Sequence, residues 1–157
     1  MNIENAIEEI VRSIGLGYLY ETVYGANIEL DKIVRDNQRD IPNEVGLPAA
    51  VNILATSGQF DFTNGNYHNM LREVQNIRVL FIDKMKLDDK LDADDVALIE
   101  TLKGYAREFI KGIEGSGRFM TIDSFNWQIR LNAFDANVGV LELTAKVKEY
   151  SGTCVDE

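Results

Sequence analysis

The chain has one cysteine, Cys154, one histidine, His68, and two prolines, Pro42 and Pro48, in 157 residues. A lone cysteine closes no internal disulfide, so a reducing compartment is the natural setting. One His and one Cys far apart do not make a transition-metal site, which needs several such ligands close together. Nor does their spacing provide a thiol with its activating base. Cations are scarce as well: 16 Lys and Arg face 26 Asp and Glu, a net charge of −10. Residues 1–80 carry 6 basic and 11 acidic side chains, and residues 81–157 carry 10 and 15, so neither half is basic. Phosphate backbones and anionic membranes require clustered Lys and Arg. Specific nucleic-acid binding and membrane attachment are therefore not expected. No apolar run approaches the length of a membrane span, and the first residues are acidic rather than basic, so no targeting segment is read and a cytosolic setting is expected.

What is present is ordinary globular material, 45% hydrophobic and 27% charged, of a length expected to form one domain. A chain of this size buries roughly 70% of its unfolded surface and needs no disulfide or metal to hold it. Ile3, Ala6, Ile7, Ile10, Val11 and Ile14 recur at helical spacing; Asn2 can cap, Glu4 suits the first turn, and Gly15 and Gly17 end the helix at 2–14. Residues 18–24 are aromatic and β-branched and predict a strand. A short helical pattern starts at Asn27 and runs through Leu30, Ile33 and Val34, and a polar loop follows to Pro48. Residues 49–55 predict a strand interrupted at Ser57-Gly58, where a bulge fits, with Phe60 and Phe62 continuing the alternation. Asn64-Gly65 is a turn signal, the polar segment to Met70 predicts a loop, and residues 74–83 return as a strand, so 49–83 is expected to be a long hairpin.

An acidic connector, Leu87 to Asp95, leads into an apolar stripe at Val96, Ile99, Leu102, Ala106, Phe109, Ile110 and Ile113. The stripe predicts a helix over about 94–114, with Gly115 as the residue that ends it. Phe125, Trp127, Ile129, Leu131 and Ala133 alternate with polar residues, as do Leu141, Leu143, Ala145 and Val147. Separated by a Phe134-Asp135-Ala136-Asn137 turn, they predict a second hairpin with Trp127 and Leu143 buried on the same inner side. The expected architecture is α+β: a mostly antiparallel sheet of about four to five strands, with the two main helices on one face.

No chemical motif stands out. Asp92-Ala93-Asp94 opens like a calcium loop, but no glycine follows and the pattern breaks at Asp95 and Val96; helix capping and a solvated face are the simpler reading. Ser57-Gly58 and Ser116-Gly117 read as turns outside any nucleophile-elbow context. Gly15 and Gly17 lack the third glycine of a phosphate loop. No catalytic, metal or cofactor-binding residue is assigned, and no cofactor is expected. Phe60, Phe62, Tyr67 and His68 gather near the tip of the first hairpin, where apolar side chains mark a surface for a partner.

The run from Trp127 to Leu143, with its Phe-Asp-Ala-Asn turn and Val138-Gly139-Val140, resembles the ending of tail-terminator and head–tail completion proteins of tailed phages and prophages. The order of elements before it is similar over nearly the whole chain: amphipathic helix, Tyr-rich strand, Pro48-Ala49-Ala50, a strand ending near Ser57-Gly58, Ile77 to Asp83, then a long helix. The resemblance implies a structural, non-enzymatic protein of the particle. It would form or join a ring, often hexameric, at the tail end or head–tail junction. Its expected partners are further copies of itself and other tail or connector proteins, with no small-molecule substrate. It would reside in the bacterial cytoplasm before assembly and in the virion afterwards. Two other readings stay open: a stand-alone acidic cytosolic protein-binding module of regulatory or immunity type, and a small enzyme with carboxylate chemistry.

Overall fold

Ile3, Ala6, Ile7 and Val11 form the buried face of helix α1 (Ile3–Ile14) in the computed structural model, which describes residues 3–22, 25–26, 28, 31–33, 35, 46–64, 69–84, 93–131 and 138–149. Within these ranges only the backbone is described at 61–64, 69–72, 93–94, 120, 122–123 and 149. Helix α1 ends as its glycine predicts. Gly15 takes φ +92°, a region open to glycine at little cost, and Leu16 N–H donates to Val11 O (3.3 Å) to close the last turn. Leu16 then drops into the core.

Six strands follow: β1 (Gly17–Glu21), β2 (Ala49–Ile53), β3 (Gly58–Asn64), β4 (Asn69–Lys84), β5 (Phe119–Arg130) and β6 (Val138–Glu149). Helix α2 (Ala93–Gly115) lies between β4 and β5. The sheet runs β1-β2-β4-β6-β5, with β3 also paired to β4. All pairings are antiparallel except β1 with β2, which run parallel. A parallel neighbour needs a crossover, and the connecting chain supplies it, with helical residues at 25–26, 28, 31–33 and 35. The architecture is the expected α+β design, with α1 and α2 packed together on one face of a mixed sheet. Helix α1 covers β1 and β2, and α2 covers β4, β6 and β5.

The expected hairpin over 49–83 has a more exact form. Strands β2 and β3 lie end to end along one edge of β4, and the bulge separates them: residues 54–57 face only residues 76–77. The extra loop is tied down by Asn76, whose N–H donates to Ser57 O (3.1 Å) and whose Nδ2 donates to Ser57 Oγ (2.9 Å). Asn69 and Met70, expected in a loop, belong to β4; residues 65–68 lie outside the described residues. Strand β5 begins at Phe119, six residues before its alternation becomes regular, because its register shifts between Ile122 and Asn126.

The main core fills the space between helices and sheet. Leu102, Ala106, Phe109 and Ile113 of α2 meet Val79, Phe81, Leu141 and Leu143, and the Phe81 and Phe109 rings pack edge to face at 5.8 Å. Val96, expected in the α2 stripe, is 52% exposed; it sits two positions before Leu98 and so points away from the buried row. Gly115 is the last helical residue, and the positive φ of the turn falls at Gly117 instead. A smaller core on the opposite face joins Ala26 of the crossover to Val51, Ile53, Leu80, Ile82, Val138 and Val140.

The two helices meet where a glycine removes a side chain. A Cβ at Gly112 would lie 2.6 Å from Ile10 Cγ2, whereas one at Gly104 in the same helix would meet nothing within 4 Å. The two substitutions are therefore expected to differ in sign. Gly104→Ala should stabilise by up to about 1 kcal/mol through helix propensity. Gly112→Ala should lose that gain and more, because forcing a methyl against a β-branched neighbour costs about 1–3 kcal/mol. Urea unfolding of the two variants checks this.

Candidate interaction surfaces

Strands β3 and β5 lie toward opposite margins of the sheet, and each leaves an aromatic ring bare. Phe60 on β3 is 68% exposed and Trp127 on β5 is 55% exposed. Phe60 pairs with Glu73 and Trp127 with Leu143, and strand parity places both rings on the helix side of the sheet.

The expectation that Trp127 is core is thus corrected. Trp127 does share the inner side with Leu143, but alternation does not show whether a strand is central or marginal. Among the described residues β5 pairs only with β6, so one flank of the indole is open. Lys103 Nζ sits 4.5 Å from the ring centre as a cation–π contact. Around it lies a notch of about 180 Å³, floored by Ala106, Ile110, Phe125, Leu141 and Leu143 and rimmed by Lys103 and Arg107. Among the described residues no carboxylate lines it, although Glu100 stands 3.7 Å from both cations.

At the other margin a cleft of about 290 Å³ runs beside Phe60, between the 55–59 segment and the N-terminus of α1. Its charged lining is acidic, Glu4 and Glu73. Glu4 accepts a hydrogen bond from the Tyr20 hydroxyl, which pins α1 to β1. Deeper under α1, buried Asn52 donates Nδ2 to the Tyr18 hydroxyl (3.1 Å), and Arg12 lies 5.9 Å from the Tyr18 ring.

A trough of about 420 Å³ lies on the outer face of the sheet. Both irregularities open onto it: Thr56 and Ser57 from the first, Ser124 from the second. Bulges re-aim side chains in this manner. Arg78, Asn126, Thr144 and Lys146 complete a lining of hydroxyls, amides and two cations. Beside it Glu142 bridges two arginines: Arg78 Nη2 and Arg130 Nη2 each donate to Oε2 at 3.2 Å. Arg78 Nε lies 2.7 Å from Oε1 as an ion-pair contact, at an angle that forms no hydrogen bond. This donor set can hold a polar or anionic chain.

Of the residues expected at the partner surface, Phe60 is exposed on β3. Phe62 lies two positions further along that strand, opposite Leu71, with its side chain not described. Tyr67 and His68 fall outside the described residues. Of the acidic connector, Asp95 is described in full and is buried at the start of α2, while residues 87–92 lie outside the described residues. Among the described residues no group of three or more His, Cys, Asp or Glu converges on a metal-sized space, and no helix is long and apolar enough to cross a membrane. Sequence reasoning missed the Lys103, Arg107 and Trp127 grouping, because the members lie some twenty residues apart and only the packing of α2 on β5 joins them. No protein-family model matches the chain, and no curated protein does.

Two expectations follow. Because half the Trp127 surface is already in water, Trp127→Ala should cost less than about 2 kcal/mol, whereas Phe109→Ala should cost about 3–5 kcal/mol; denaturant midpoints distinguish them. Burial raises the Tyr20 pKa, helped by its hydrogen bond to Glu4 and that carboxylate's charge. Burial also raises Tyr105, with Asp83 adding to it, and Tyr18, where the Asn52 hydrogen bond opposes. Unfolded tyrosines ionise near pH ~10, so above that the unfolded state holds fewer protons than the folded one and stability falls as pH rises. Urea midpoints should therefore drop from about pH 10 upward, less steeply in Tyr20→Phe.

Proposed function

We propose that this chain is a non-enzymatic structural protein of a tailed-phage or prophage particle, forming or joining a ring at the tail end or head–tail junction. The observation that carries this reading is the polarity of the subunit across its sheet. One margin ends in α1, β3 and an exposed phenyl ring beside carboxylates; the other ends in α2, β5 and an exposed indole beside cations. A ring is built by head-to-tail contact between two different patches of one chain, closed by rotation. Subunits with unlike margins suit that arrangement better than a two-fold dimer, which needs a self-complementary patch.

The resemblance of the β5–β6 segment to tail-terminator and head–tail completion proteins supplies the particle. The net charge of −10 is consistent with such a place, because a wall of like charge lets DNA pass without holding it. Light scattering over a wide concentration range, alone and with purified tail tubes, tests the reading. A closed oligomer of fixed mass, or a ring seated on tube ends in electron micrographs, is the expected result. A chain that stays monomeric alone and leaves tube ends bare overturns it, as does a salt-sensitive 1:1 complex with a basic cellular protein in place of any ring.

A further inference from the structure

We propose that Phe60 of one copy docks into the Trp127 notch of a second copy, with Glu4 and Glu73 facing Lys103 and Arg107 across the contact. The inference rests on the ring reading and names the surfaces that ring would use. Four observations carry it. Phe60 is the most exposed large apolar side chain among the described residues, at 68%. Second, the notch has an apolar floor and a volume of about 180 Å³, and a dry apolar cavity of ~150 Å³ accepts a benzene ring.

Third, the charges are complementary. Among the described residues the cleft beside Phe60 is lined by two carboxylates and no cation, and the notch by two cations and no carboxylate. Two Phe60 clefts brought together would oppose like charges, and so would two notches, which disfavours symmetric pairing and favours the unlike one. Fourth, both rings stand on the helix side of the sheet at opposite margins. One contact therefore leaves each partner with one unused patch of the other kind, and addition continues until the rotation closes. An aromatic anchor in a small pocket, flanked by charges at the rim, is the usual form of an interface hot spot. Glu100, 3.7 Å from both Lys103 and Arg107, is the internal carboxylate that Glu4 and Glu73 of the second copy would compete with.

The chain reports on this contact itself, because Trp127 is its sole tryptophan. In the wild type, emission should shift to the blue as concentration rises and oligomer forms. Phe60→Asp should weaken self-association by about thirtyfold or more and abolish the shift over the same range, with the circular-dichroism spectrum of the folded chain retained. The double variant Lys103→Glu, Arg107→Glu should be equally deficient. Mixed together, the two deficient proteins retain one intact patch each and should form a complex of twice the monomer mass and no larger. If Phe60→Asp assembles like the wild type, if assembly leaves Trp127 emission unchanged, or if the mixture stays monomeric, the contact is wrong while the ring reading stands. A wild type that neither gains mass nor shifts its emission, alone or on tail tubes, removes both. A shift seen only with an unrelated protein assigns the notch to that protein and overturns the self-contact.

Discussion

Strand β4 extends over sixteen residues, Asn69 to Lys84, and three other strands take their register from it. One edge holds β3 and then β2; the other holds β6 along eleven consecutive residue pairs. Its period-2 alternation does the rest. Ile77, Val79 and Phe81 face the helices, while Leu80 and Ile82 face the crossover. A one-residue slip would exchange those sets and empty both cores together, so the pairing is specified from two sides. Only the extra residues at 54–57 depart from strict pairing, and Asn76 of β4 itself fixes them.

On this frame the helix layer is divided rather than shared. Helix α1 covers the β1–β2 side and is fastened by polar contacts, Tyr20 with Glu4, over buried Asn52 and Tyr18. Helix α2 covers the β4–β6–β5 side and is held by apolar packing around Phe109 and Leu102. The two touch through the space left by Gly112. Phe60 on β3 and Trp127 on β5 stand at the borders of this layer and keep their rings largely in water. The unlike ends of the molecule thus follow from how its helices are apportioned.

Much of this was legible in the residues. Both helices, the glycine that ends α1, the interruption at Ser57-Gly58 and the final pair of strands each have a local pattern, and local patterns survive folding. Four things were not. The start of β5 was hidden because apolar Phe119, Met120 and Ile122 stand on both parities, and residues 123–125 have only Ala145 opposite them at the register shift, so no regular alternation precedes Phe125. The parallel run of β1 beside β2 was hidden because a crossover has no period of its own. The exposure of Trp127 was hidden because alternation names a face and says nothing of a strand's rank in the sheet. The notch itself is tertiary: Lys103 and Arg107 look like any solvated pair on a helix until β5 is set beside them.

The placement of β6 has a consequence for synthesis. It follows all five other strands in the chain, yet it occupies the interior of the sheet, between β4 and β5. While the ribosome is still making it, β4 has a bare hydrogen-bonding edge, β5 has no neighbour, and α2 lacks the part of its floor that Leu141 and Leu143 supply. Such an intermediate presents an unpaired edge and an apolar face, the two features that invite misassociation. Closure of the sheet thus waits on the last strand to be made, and the unpaired edge of β4 is covered only when β6 arrives.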